Sequence, residues 1–205
     1  MARNKELNQK MKDERREQIL AGAMKLFAAR GLAATKISDI AEAVGISQGL
    51  LYHYFRSKEE IYTELVKNAF DKINAACYEL EKLPMPPHEK IKFAIEKLLQ
   101  NLEESESNSR HYLFVSQASS SESTPVEARE YIKNNNMIPY KVIARIMKKG
   151  QEAGTIIKHD PKELALVFWT SITGLALYRA VHGAKFKAPD AGLLVGRFLI
   201  NHDKT

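Results

Sequence analysis

One cysteine is all that the 205 residues hold, so no disulfide can close within the chain. That agrees with a reducing cytoplasm. Cys77 shares a helical apolar pattern with Ile73 and Leu80, as a packed thiol does. Catalytic signatures are missing as well. There is no His-Glu-x-x-His, no phosphate-cradling glycine loop and no nucleophile elbow. The six histidines (His53, His88, His111, His159, His182 and His202) stand far apart. An enzyme needs a positioned acid, base, nucleophile or metal, and none is set up here. The expectation is no catalytic residue, no metal and no cofactor. The first residues, through Arg16, lack the apolar stretch of a signal peptide. The longest apolar candidate, residues 164–184, is broken by Thr, Ser, Gly, Arg and His, so no run is expected to span a membrane. Neither repeats nor strand-like alternation occur, which leaves an all-α fold.

What is present is ordinary in amount and uneven in place. Hydrophobic residues make up 44% and charged residues 27%, as in a soluble globular protein of one or two domains. The net charge is +6. Up to residue 58 there are 11 Lys and Arg against 6 Asp and Glu, and after it 20 against 19. Nearly all the excess therefore sits in the first part, the footprint of a nucleic-acid contact or of a basic arm in solvent.

Residues 35–61 carry the clearest local organisation. Ile37, Ile40, Ala41 and Val44 recur at helical spacing. Gly45 suits the left-handed position just past a helix end, Ile46 fills the corner, and Ser47 can cap a second helix. Leu51 and Phe55 then point inward. Two helices around a short glycine turn form the helix-turn-helix, whose second helix enters a DNA major groove. Left for its outer surface and flanks are Gln48, Gly49, Leu50, Tyr52, His53 and Tyr54, none acidic. Gln48 can read adenine, Leu50 can meet a thymine methyl, and Gly49 lets the backbone come close. Tyr52, His53, Tyr54 and Ser47 can donate to phosphates. Lys36 adds charge before the first helix of the pair, and Lys58 adds charge at the start of the next.

At these residues the chain resembles the TetR family of transcriptional regulators. The matching segments are Thr35, Asp39-Ile40-Ala41, Val44-Gly45-Ile46-Ser47, Gly49-Leu50-Leu51-Tyr52-His53-Tyr54-Phe55, and Lys58 through Ile61. They cover about the first third of the chain. Lys36 departs from the family's usual second Thr or Ser, which leaves the first cap open between Thr35 and Ser38. The resemblance implies a three-helix DNA-binding head followed by a larger helical domain for ligand binding and dimerisation. We place the boundary at residues 1–57 and 58–205. It also implies a cytoplasmic homodimer on a palindromic operator in double-stranded DNA, a repressor released by a small molecule, and no membrane partner.

The periodicity predicts a flexible basic arm over residues 1–12 and helices over residues 13–30, 58–83, 88–104, 109–119, 125–135, 137–153 and 190–201, with another that starts at Pro161 and carries apolar residues through Tyr178. The serine-rich run 116–124 reads as a loop. The helix from Lys58 is long for a globular domain, and in the family the helix at this position links ligand pocket to DNA reader. The helix from Pro161 is apolar on more than one face, so it should be covered on both sides.

Beyond residue 58 the aromatic and soft side chains Phe70, Cys77, Phe93, Tyr112, Phe114, Met137, Tyr140, Phe168 and Trp169, with Tyr178, could line a largely apolar ligand site or simply pack the core. For a two-fold seam the candidates are Ile143, Met147, Thr170, Thr173, Gly174 and Leu177. Two rivals stand beside this reading. One is a DNA-binding regulator without a small-molecule ligand, for which a filled core would speak. The other is an all-α enzyme with a helix-turn-helix head, for which turnover without DNA would speak.

Overall fold

The computed structural model describes residues 2–200. Within them the elements are α1 (Ala2–Ala34), α2 (Ile37–Ala43), α3 (Gln48–Tyr54), α4 (Lys58–Lys82), α5 (Pro87–Glu104), α6 (Glu106–Ser120), α7 (Val126–Asn135), α8 (Ile138–Glu152), α9 (Pro161–His182), a single 3-10 turn (Gly183–Lys185) and α10 (Ala191–Val195). The fold is all-α. One isolated antiparallel bridge joins Ile156 to Leu199. The expected arm is instead the start of α1, and α10 is far shorter than the pattern suggested. Met1 and Asn201, which those readings included, and His202, one of the six histidines, lie outside the described residues.

Packing divides the chain into two units, and α4, α6 and α7 contribute to both. The first unit comprises Met1–Ala69 and Phe114–Ile132. Its centre is an aromatic chain: Phe27 meets Tyr62 edge-on at 5.1 Å, and Tyr62 meets Phe114 at 4.9 Å. Such edge-to-face pairs add to what burial alone contributes. Around them Ile19, Ile40, Leu51, Phe55 and Ile61 are fully buried. Gly22 lets α1 approach the end of α2, because a Cβ there would lie 2.4 Å from Val44 Cγ1. Arg16 pairs with Glu64 through both terminal guanidinium nitrogens, and its guanidinium carbon lies 4.7 Å from the centre of the Phe55 ring.

Serine-rich though it is, the run 116–120 is helical. Ser119 and Ser120 donate to the carbonyls of Val115 and Ser116, four residues back. Thr124 Oγ1 donates to the Ala118 carbonyl and closes the turn that follows.

The second unit comprises Phe70–Leu113 and Lys133–Thr205. Its core joins α5, α8 and α9 through Ile91, Ile95, Leu99, Val142, Ile143, Met147, Phe168, Trp169 and Ile172. Gly150 leaves room for Ile156, whose Cδ1 would lie 2.4 Å from an added Cβ. Asp160 caps α9 by accepting from the Lys162 amide. Across α4 and α8, Arg145 grips Glu81 at 2.6–2.7 Å.

Two expectations about α9 change. By length and composition it is apolar enough to cross a membrane, since its scattered polar residues do not interrupt it sufficiently. Thr170 and Ser171 return their hydroxyls to the helix's own carbonyls. And α9 is covered on one side only within the chain: Leu166, Val167, Tyr178 and Val181 are exposed.

Candidate nucleic-acid interface

Each part of the α2–α3 pair follows from a local cause. The kink near the end of α1 is made by Gly31 at φ 74°, a conformation only glycine adopts cheaply. It frees carbonyls at the end of α1, and two side chains take them up. Thr35, fully buried, donates to the Gly31 carbonyl at 2.7 Å. Lys58 Nζ donates to Leu32 and Thr35 at 2.8 Å and to Ala33 at 3.3 Å. The ammonium thus clamps a helix end, where a cation is favoured. This corrects Lys58 as a phosphate contact: its donors are engaged inside the head.

The first cap is also corrected. Neither Thr35 nor Ser38 holds α2; the residue before it is Lys36, whose amide donates to Asp39 Oδ2 at 3.1 Å. The carboxylate reaching back satisfies a donor at the helix start. Arg30, which the sequence reading passed over, stands 3.7 Å from the same oxygen of Asp39. It brings a second exposed cation beside Lys36. Its place directly before the Gly31 kink was the only available signal.

Gly45 turns the chain at φ 67°, and the Ile46 amide returns to the Ala41 carbonyl at 3.0 Å. Ser47 caps α3, its oxygen accepting from the Leu50 amide at 3.2 Å. The hydroxyl proton stays available to an outside acceptor. Leu51 and Phe55 fix the inner side of α3, both essentially without exposure. The outer side then carries Ser47, Gln48, Gly49, Leu50, Tyr52 and His53, all exposed, with Tyr54 half-buried against the His53 ring at 5.5 Å. Gly49 has only the Ser47 hydroxyl near its absent Cβ, at 4.0 Å. Its smallness therefore serves nothing inside the protein.

The proposed ligand residues do not form one set. Tyr112, Tyr140, Phe168, Trp169 and Cys77 share the core of the second unit. Phe70 is buried on α4. Phe93 and Met137 are exposed, and Phe114 belongs to the first unit's aromatic chain, so these three are corrected. Their spacing placed them on apolar faces, but the faces look elsewhere. Burial pushes the Cys77 thiol and the Tyr112 phenol up to about 12 each, so both stay protonated at neutral pH.

The seam candidates also divide. Ile143 and Met147 are buried in the core of their own chain and cannot meet another, so they are corrected as seam residues. Thr170 and Gly174 are exposed, and Thr173 and Leu177 are half-buried. With Leu166, Val167, Tyr178 and Val181 they follow the outer side of α9. Among the described residues no group of three or more His, Cys, Asp and Glu could hold a metal ion.

Comparison with known proteins places this geometry. Residues 19–65 match the model of "Bacterial regulatory proteins, tetR family". Over 142 residues the chain is 30% identical to the HTH-type transcriptional repressor KstR2 of Mycobacterium tuberculosis, covering 69% of each. The solved structure of the ketosteroid transcriptional regulator KstR2 from that organism superposes with a TM-score of 0.73, at 25% identity, over 91% of this chain and 95% of that one. The MbdR regulator from Azoarcus sp. CIB shares the fold, with a TM-score of 0.77 at 20% identity, over 90% and 98% of the two chains.

Proposed function

The chain belongs to the tetR family of bacterial regulatory proteins and is a DNA-binding transcriptional regulator, not an enzyme; on that premise we propose that it is a cytoplasmic homodimeric repressor, released from a palindromic operator by a small molecule. The observation that carries the DNA side is the outer face of α3, which is exposed, free of acid and built around a capped, glycine-containing first turn. Gln48 reads a base, while Ser47, Tyr52, His53 and Tyr54 hold phosphates. Lys36 and Arg30 extend the cationic edge at the start of α2. The repressor sense comes from KstR2, the relative named as one.

The dimer rests on α9. Leu166, Thr170, Gly174, Leu177 and Val181 repeat at intervals of three and four along one stripe, exposed except at the half-buried Leu177. A stripe of that kind is an interaction face. Gly174 has nothing within 4 Å of its absent Cβ, leaving room for a second helix to approach. Two copies would present two α3 helices to half-sites about 34 Å apart, one turn of DNA.

The ligand side rests on buried polar atoms. Asn74 Oδ1 and Trp169 Nε1, both in the second unit, are sealed from solvent without a hydrogen-bond partner. Buried polar groups are normally satisfied, and an anchor awaiting a ligand explains the exception. A coupling of about 1–3 kcal/mol would shift operator affinity some 5–150-fold. In vitro selection of bound DNA with the purified chain tests the whole reading. A palindromic consensus is expected; selection of no sequence would overturn it. Small molecules can then be screened for release of that DNA.

A further inference from the structure

Another unpartnered atom in the second unit belongs to a charged group. Arg179 lies on α9 and is 7% exposed. Its Nε donates to the Leu102 carbonyl at 3.2 Å, and its guanidinium carbon stands 5.7 Å from the centre of the Phe186 ring. Its Nη1 is sealed from solvent and has no acceptor. The surroundings are apolar: Leu102, Ala176 and Phe186 are buried together, with Tyr112, Leu175 and Ala188 packed against them. Among the described residues no ion pair joins Arg179 to a carboxylate.

A structural role accounts for part of this. Leu102 lies in the last turn of α5, so its carbonyl is a free acceptor at the partly negative end of a helix. That end offsets about half a charge and engages one donor. It leaves a guanidinium with an unmet donor in apolar surroundings. Such an arrangement is unfavourable, and an apolar residue of similar size would pack there without it. What is missing is one anionic acceptor. The Tyr112 phenol, on a side chain packed against the same cluster, remains a neutral donor.

We infer that Arg179 receives the carboxylate of an amphipathic ligand whose apolar part lies against the Leu102, Ala176 and Phe186 cluster. One guanidinium balances one carboxylate, and the pairing is geometrically specific. The inference rests on the reading of the second unit as ligand-binding and adds the chemistry of the ligand's head.

The test uses the purified full chain with three probes of equal chain length: decanoate, decanol and decyltrimethylammonium, each below its micelle concentration. Calorimetric titration should show decanoate binding at least about tenfold more tightly than decanol, with the cationic probe weakest. Arg179→Gln should weaken decanoate by about 10–100-fold and leave decanol unchanged, whereas Arg179→Lys should keep part of the preference. Without ligand, Arg179→Gln should melt no lower than the wild type, because the group it removes is an unmet buried cation. Equal affinities for decanoate and decanol, both indifferent to Arg179→Gln, would leave a ligand site but overturn its carboxylate chemistry. No binding of decanoate would overturn the inference. So would a clear fall in the melting temperature of ligand-free Arg179→Gln, which would make Arg179 only the clamp of α5. Neither result would decide whether some other small molecule releases the operator, which the release screen settles separately.

Discussion

Two neighbouring residues on α3 separate reading from folding. Gln48 is exposed and makes no bond that holds the head together. Gln48→Ala should lower operator affinity by about 1–3 kcal/mol, relax preference at one base position and leave urea unfolding unchanged. Gly49→Ala should act oppositely on the two measurements. The added Cβ meets nothing closer than 4.0 Å, and alanine favours the helix by up to about 1 kcal/mol. Stability should hold or rise while binding falls, because the methyl group intrudes only on what approaches from outside. Both residues were legible in the sequence, since their placement needs only the local phase set by Leu51 and Phe55. Lys58 was not. Its acceptors lie 23 to 26 residues earlier, on carbonyls exposed by the Gly31 kink. Helical periodicity shows a lysine at a helix start, which reads as a phosphate contact. Lys58→Met should therefore lower folding stability by about 1–2 kcal/mol, discounted for partial exposure. The salt dependence of DNA binding should keep its slope; a loss of about one unit would return Lys58 to the interface.

Helices as elements follow from apolar period, and each element from α2 to α9 overlaps an expected one. What escaped was where helices end and what they touch. The serines of α6 continue the helix because their hydroxyls bond back to it, a choice composition does not reveal. The contact between α1 and α2 depends on Gly22, which in the sequence is only a weak spot in a helical pattern. Gly22→Ala gains up to about 1 kcal/mol of helix propensity but drives a Cβ into Val44, where overpacking typically costs about 1–3 kcal/mol. A net loss is expected. Val44→Ala in the same chain should recover most of it, and the double-mutant cycle measures that coupling. Between α4 and α8 the Glu81–Arg145 pair gives a pH signature. The hydrogen bond from Arg145, with its charge, holds the Glu81 carboxyl below the ordinary carboxylate range. A lowered folded-state value means the contribution is present above the unfolded carboxylate value, about 4.3, and disappears as pH falls through the folded one. Melting temperatures between pH 7 and pH 3 should thus fall less steeply for Glu81→Gln than for the wild type. Parallel curves would show that the pair contributes nothing measurable, as exposed pairs often do not.

For the whole molecule, the question is how one seven-residue recognition helix per chain secures a specific site. A single α3 offers few base contacts, and on the proposed dimeric reading operator affinity draws on two heads held at a fixed spacing. The outer stripe of α9 is the surface available for that pairing. It was half legible: the sequence showed α9 apolar on more than one face, but only packing shows that Ile143 and Met147 are used internally while Val181 is 80% exposed. Because Val181 has little to lose inside its own chain, Val181→Glu should leave the thermal unfolding of the isolated subunit nearly unchanged. Across a two-fold seam, however, it would place two carboxylates in an apolar contact, where unpaired charge is strongly disfavoured. Sedimentation at micromolar protein should shift from dimer toward monomer. Operator affinity should fall further than for Gln48→Ala, since losing the partner removes a whole half-site, not one contact. A variant that still sediments as a dimer would move the seam off α9. A monomeric variant with undiminished operator binding would show that one head suffices and would remove the reason for a palindrome.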